Sequence, residues 1–162
     1  NMNAVDILKY GHQTVLRTLD GLPEAEWETG GVCGVWSVKD IMAHLASYEH
    51  MLVEVLNTFL GDEQTPYLDQ FRAGQGFNDA QVALRKDNSA AQVLAEYEEV
   101  HARTMALVAQ IPEETRRRPG TLPWYGMEYA LDDLIVYQYY GHKREHMAQI
   151  NVFRDGLARV DG

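Results

Sequence analysis

Cysteine is almost absent: Cys33 is the single one in 162 residues. An internal disulfide and a Cys-rich metal cluster are therefore both excluded. Positive charge is also scarce. Fourteen Lys and Arg stand against 24 Asp and Glu, a formal net charge of −10, which makes a nucleic-acid backbone a poor partner. No apolar run approaches the ~18 to 20 residues that cross a membrane. Solenoid repeats, low-complexity tracts, a Gly-rich phosphate loop and a nucleophile elbow are missing too. No secretory signal is recognisable, so a cytoplasmic protein without nucleic-acid or membrane partners is expected.

What remains is ordinary globular composition, 46% hydrophobic and 23% charged, in a length that suits one domain over residues 1–162. The apolar spacing is helical. A first helix is expected from Asn3 to Asp20, with Val5, Leu8, His12, Val15, Leu16 and Leu19 on one side, stopped by Gly21 and Pro23. Gly30, Gly31 and Gly34 mark a loop, and Cys33 within it has no basic neighbour that would activate its thiol. Ser37 and Asp40 form a capping-box signature for a second helix, which runs to Leu60 before Gly61. Ser37, Ile41, His44, Tyr48, Met51 and Val55 share its inward face. His50 lies about 120° from His44 and is assigned outside, and Glu49 and Glu145 read as solvated carboxylates.

Asp62 to Asn88 reads as a long crossover with a short helix at Phe77 to Lys86. Ser89 and Gln92 open a third helix to about Gln110, with Leu94, Tyr97, His101, Met105 and Val108 inward. The basic run Arg116-Arg117-Arg118 follows Glu113-Glu114 at a helix end, where cations suit the dipole, and is taken as local structure. Arg118 to Tyr129 is a structured loop into a fourth helix, Ala130 to Leu157, which contains no proline. The fold class expected is all-α, a four-helix bundle with a long connection between helices two and three.

The chemistry concentrates on the fourth helix. His142 and His146 stand four apart, about 40° around the axis, so both rings can approach one point, as two ligands of a metal ion must. Leu131, Ile135, Gln138, Gln149 and Phe153 share that stripe, which places the pair inward, where an imidazole needs partners. His44 is another inward histidine. His12 and His101 are inward as well, so a core that merely tolerates histidine is the competing reading, and those two are taken as hydrogen-bonded core or pocket residues. Asp40 lies one turn before His44 and is positioned to accept its distal N–H, although capping alone explains it. Tyr48, Gln138, Gln149, Trp124 and Tyr125 are candidate pocket residues.

The run Trp36-Ser37-Val38-Lys39-Asp40-Ile41-Met42-Ala43-His44-Leu45, with His142-x-x-x-His146-x-x-Gln149-Ile150 far downstream, resembles the DinB-like (YfiT-like) four-helix-bundle metalloproteins. The resemblance extends over nearly the whole chain. It implies that His44, His142 and His146 bind a divalent metal, nickel or zinc. It also implies relatives that activate a low-molecular-weight thiol, such as mycothiol, bacillithiol or glutathione, for transfer or isomerisation, and others that hydrolyse a reactive small molecule in self-resistance. Three neutral imidazoles leave open positions on such an ion, where a thiol or a water can be deprotonated. The expected function is thus a metal-dependent, small-thiol-dependent S-transferase or isomerase acting on a small molecule. Metal-dependent hydrolysis and non-catalytic metal or ligand binding are the alternatives, and a homodimer is left open.

Overall fold

A computed structural model of the chain describes residues 3–161, which are all-helical with no strand among them. Helix α1 (Ala4–Leu19) begins at Asn3, whose side chain accepts from the Asp6 N–H. Helices α2 (Val38–Thr58) and α5 (Ala90–Val108) each open with a complete capping box, Ser37 with Asp40 and Ser89 with Gln92. In each box the serine oxygen and the side chain three residues later satisfy two backbone donors that the helix cannot. Lys39 fixes the start of α2. Its buried ammonium donates to Glu28 at 2.7 Å and to the carbonyls of Lys86 and Asn88 at 3.0 Å each, tying two connections to the helix that carries His44.

The connection between α2 and α5 holds two helices, α3 (Pro66–Ala73) and α4 (Phe77–Leu84). The sequence reading gave only the second. Pro66 occupies the first turn of α3, where its fixed φ and missing N–H do no harm. The cap comes from another helix: Glu54 accepts from the N–H groups of Tyr67 and Leu68 at 3.0 and 2.9 Å. After α5, the one-turn α6 (Glu113–Arg117) carries the basic run as local structure, with the buried Arg116 donating to Asp132 at 3.0 Å.

The last helical stretch is continuous but not regular. It begins as α7 (Leu131–Leu134), passes through a π-helical segment (Ile135–Tyr140) and resumes as α8 (Gly141–Asp161). The Gly141 N–H bonds the Val136 carbonyl five residues back, so the turn just before His142 is wide. Gln138, expected inward, is exposed, whereas Tyr139 and Lys143 are buried.

Helix α2 packs on α5, and α1 packs on α8 and the π segment. The outer side of α1 is free, and Leu16, expected inward, is 37% exposed. The interior has two apolar clusters. One gathers Val15, Ile41, Leu45, Tyr97, Met147 and Ile150; the other gathers Leu8, Leu52, Leu56, Val108, Leu131 and Ile135. Each fully buried Leu or Ile contributes about 1.5–3 kcal/mol. Between the two clusters each long helix places polar side chains inward: His12 on α1, Glu49 on α2, His101 and Thr104 on α5, Lys143 on α8. Among the described residues, no helix is long and apolar enough to cross a membrane.

Candidate metal centre

Helices α2 and α8 bring His44, His142 and His146 together beside this polar layer. The His142 Nε2 lies 3.0 Å from Nε2 of His44 and 3.0 Å from Nε2 of His146. One nitrogen from each of the three rings lies within 4.8 Å of the others. Two nitrogens bonded at ~2.05 Å to one ion stand about 2.9 Å apart at a right angle and about 3.3 Å apart at the tetrahedral angle, so the two 3.0 Å separations made by His142 suit a shared ion. His44 and His146 are buried, and His142 is partly so.

The donor chemistry fits as well. The His146 Nδ1 lies 2.8 Å from Gln149 Oε1, a carbonyl oxygen that only accepts, so the ring proton sits on Nδ1 and Nε2 presents its lone pair. Burial, reinforced by the neighbouring His142 and His146, lowers His44 to about 3. Burial, with His146 and then Lys143, lowers His142 to about 4. Both rings are therefore neutral at pH 7, the form that binds metal. One proton on His142 Nε2 can bridge to only one of its two nitrogen neighbours. A cation at the centre would satisfy all three Nε2 lone pairs at once.

Gln149 thus orients His146. A Gln149→Leu variant should lose roughly 10–100-fold in zinc affinity, the range typical of such supporting partners. Competition against a chromophoric chelator measures this, and an unchanged dissociation constant would remove Gln149 from the site.

The surroundings correct four expectations. The Asp40 carboxylate accepts from the Ser37 N–H at 3.0 Å and does not bond His44, so it serves as a cap. His50 faces away from the triad, but it is not free: it pairs with Glu96 at 2.8 Å and stacks on Tyr67 at 4.5 Å, covered by α3 and α5. Glu49 is fully buried, whereas Glu145 is exposed as expected. The Glu49 carboxylate pairs with the Lys143 ammonium, accepts from Thr104 Oγ1 at 3.0 Å and has His101 Nδ1 at 3.7 Å. Burial alone would raise Glu49, but Lys143 and His101 outweigh it and bring it down to about 2. Lys143, in turn, is raised: Glu49 and then Tyr97 override the burial that would discharge it. The fourth is Gln138, which is exposed at the π segment rather than packed inward.

The signal for Glu49 was in the sequence. Met42, Leu45, Ala46, Leu52, Val53 and Leu56 lie within one or two turns on its side of α2, a second apolar stripe that makes the helix buried nearly all round. Trp36 was missed as a site residue too, and its ring lies 4.9 Å from that of His44.

His12 and His101 are inward, as read. Their rings stack at 4.0 Å, and His12 Nδ1 lies 3.4 Å from the Tyr97 hydroxyl. Burial, then His101 and Lys143, lower His12 to about 4 against the opposing pull of Glu49. An imidazole depressed from 6.5 takes up its proton in the unfolded chain first, so stability falls as the pH drops from about 6.5 to about 4. A His12→Asn variant should lose less stability than the parent between pH 6.5 and 4.5 in urea titrations. Parallel losses would show that His12 does not carry the effect.

Tyr48 touches the triad from the side, its ring 4.6 Å from His44 and 4.8 Å from His142. The same ring lines a cavity of about 310 Å³ walled by α2, α3, the Trp124-Tyr125 turn and the π segment. Tyr48, Trp124, Tyr125 and Gln138 therefore do line a pocket. The turn depends on Gly126, at φ 141°, where an added Cβ would come within 2.8 Å of the Tyr129 ring.

Fold and cluster together define an all-helical protein with three histidines from two helices converging in its interior, at the edge of an aromatic cavity. Residues 7–150 match the family model of the DinB superfamily, and the chain belongs to that superfamily. No curated protein and no solved structure matches it.

Proposed function

We propose that the chain is a four-helix-bundle metalloenzyme in which His44, His142 and His146 hold one divalent ion, zinc or nickel. It acts in the cytoplasm on a small molecule, with a low-molecular-weight thiol as the second substrate of an S-transfer or isomerisation. The observation that carries this reading is the convergence of the three Nε2 atoms beside a cavity with which they share Tyr48. When bound, such an ion supplies Lewis acidity and lowers the pKa of a thiol or water at an open position. The protein's own residues do the rest. Gln149 holds the His146 tautomer, burial keeps His44 and His142 neutral, and the aromatic wall excludes water and orients the substrate. Cys33, in the loop ahead of α2, packs against the apolar cluster, which leaves the sulfur nucleophile to an incoming thiol.

Hydrolysis of a reactive small molecule is the second reading, favoured by one observation: the cavity lining carries a single charged residue, Arg72. A peptide-like thiol with several charges would use more. Metal analysis of protein purified without chelator should give one divalent ion per chain. Glutathione, mycothiol or bacillithiol should then perturb the visible spectrum of the cobalt- or nickel-substituted protein. If none of the three does so, hydrolysis or simple ligand binding replaces thiol transfer.

A further inference from the structure

The cavity beside the triad has a polarity of its own. Five aromatic rings line it, those of Tyr48, Phe71, Trp124, Tyr125 and Tyr139, and the one charged side chain among the lining residues is Arg72. In a chain with 24 acidic residues, Arg72 makes no ion pair with any described carboxylate. Its guanidinium instead lies over the Trp124 ring, 5.8 Å from the centroid. Arg72 stands in the last turn of α3, where a cation suits the helix dipole. That accounts for a positive charge there, but not for its seat on an indole at the cavity wall. A guanidinium stacked on an aromatic face keeps its in-plane N–H groups free, which suits two-point recognition of a carboxylate or similar anion.

The path from Arg72 to the triad is aromatic throughout. Phe71, the residue before Arg72, meets Tyr48 edge-on at 6.0 Å, and Tyr48 touches His44 and His142. About 310 Å³ is the volume of roughly ten water molecules at ~30 Å³ each, space for a compound of one or two rings.

We infer that this cavity binds a flat aromatic or conjugated small molecule bearing an anionic group, with Arg72 holding the anion, Trp124 and Tyr48 sandwiching the body, and the opposite end directed at the histidines. The assignment deepens the proposed function and rests on it for which end of the ligand reacts.

Isothermal titration with 2-naphthoate and its neutral isostere 2-naphthamide tests it, in metal-stripped and in nickel-loaded protein. In the stripped protein the acid should bind roughly tenfold or more tighter than the amide, the increment of a hydrogen bond to a charged partner. Arg72→Met should bring the two ligands to within about twofold, and Arg72→Lys should retain part of the preference because it keeps the charge without the planar fork. Trp124→Leu should weaken both ligands alike. Arg72 is exposed, so its variants leave the fold intact. Equal binding of acid and amide by the parent, or an acid preference that survives Arg72→Met, overturns the assignment. A preference present only with nickel places the carboxylate on the metal, which rejects the role of Arg72 and leaves the triad reading standing. An Arg72-dependent preference in a protein whose triad takes up no metal sinks the proposed function and leaves this cavity assignment standing.

Discussion

Replacing Glu49 with alanine should lower the melting temperature by about 6–20 °C, the largest stability effect expected of any single carboxylate in the chain. The size follows from what is left behind. Lys143 is 3% exposed, and without Glu49 it is a buried ammonium with no counter-charge. Breaking a buried pair from one side costs about 3–5 kcal/mol, and at this chain length each kcal/mol moves the midpoint by roughly 2–4 °C. The Tyr97 ring, 5.2 Å from the ammonium, offers a cation–π contact of ~0.5–2 kcal/mol and cannot make up the difference. A Glu49→Leu/Lys143→Met double variant should recover most of the loss, because an apolar pair of similar volume removes both desolvation costs together. Glu145→Ala, on the exposed side of α8, should change little and serves as the control. Glu49 is depressed from 4.5 to about 2, so its contribution is complete above pH 4.5 and fades as the pH falls through 2. The raised Lys143 keeps its own contribution below 10.5. The parent's pair is intact across pH 6 to 9, whereas in Glu49→Ala burial pushes the unpaired Lys143 down, so the gap between parent and variant should narrow as the pH rises from 6 to 9. A single variant that melts with the parent would show that the pair does not hold the core.

Much of this was readable from local pattern, and the misses share a cause. Ser37 and Ser89 announce their helices because a capping box is complete within four residues. His44, His142 and His146 could be placed inward because each sits in an apolar stripe of a regular turn. Glu49 sits in such a stripe too, but a charged residue reads as solvated until its partner is known, and Lys143 lies 94 residues away. The cap of α3 was illegible for the same reason, since Glu54 belongs to another helix. The π turn ahead of His142 was hidden differently. Nothing in Ile135–Tyr140 forbids regular α-helix, and the wide turn appears only where α7, α8 and α1 pack together. It left the positions of His142 and His146 intact, because both lie after it, whereas Gln138, which lies within it, is exposed.

The turn also matters for the prediction with the largest functional effect: His142→Ala should reduce zinc or nickel affinity on the order of 10²–10³-fold. The estimate divides the ~10–16 kcal/mol of a four-ligand zinc site into roughly 2.5–4 kcal/mol per ligand. His142 is the ligand to remove because both 3.0 Å contacts of the cluster converge on its Nε2. Without it, His44 and His146 are two nitrogens on different helices with no third to close the site. The loss should exceed that of Gln149→Leu, which leaves all three nitrogens in place. His50→Ala should bind metal as the parent does, since His50 is committed to Glu96 and Tyr67. His142 is only partly buried, so truncation leaves a small, solvent-reachable gap, and circular dichroism melts of the metal-free proteins should nearly coincide. That separates loss of ligand from loss of fold. Under the proposed function, metal-loaded parent should react a small thiol with an electrophile faster than His142→Ala in the same metal buffer, and the difference should vanish when a chelator is added. Two outcomes count against the triad: metal retained by His142→Ala with parental affinity, or equal loss in His142→Ala and His50→Ala with both still folded. Either would make the cluster a hydrogen-bonded histidine core, the reading that His12 and His101 already exemplify on the other side of Lys143.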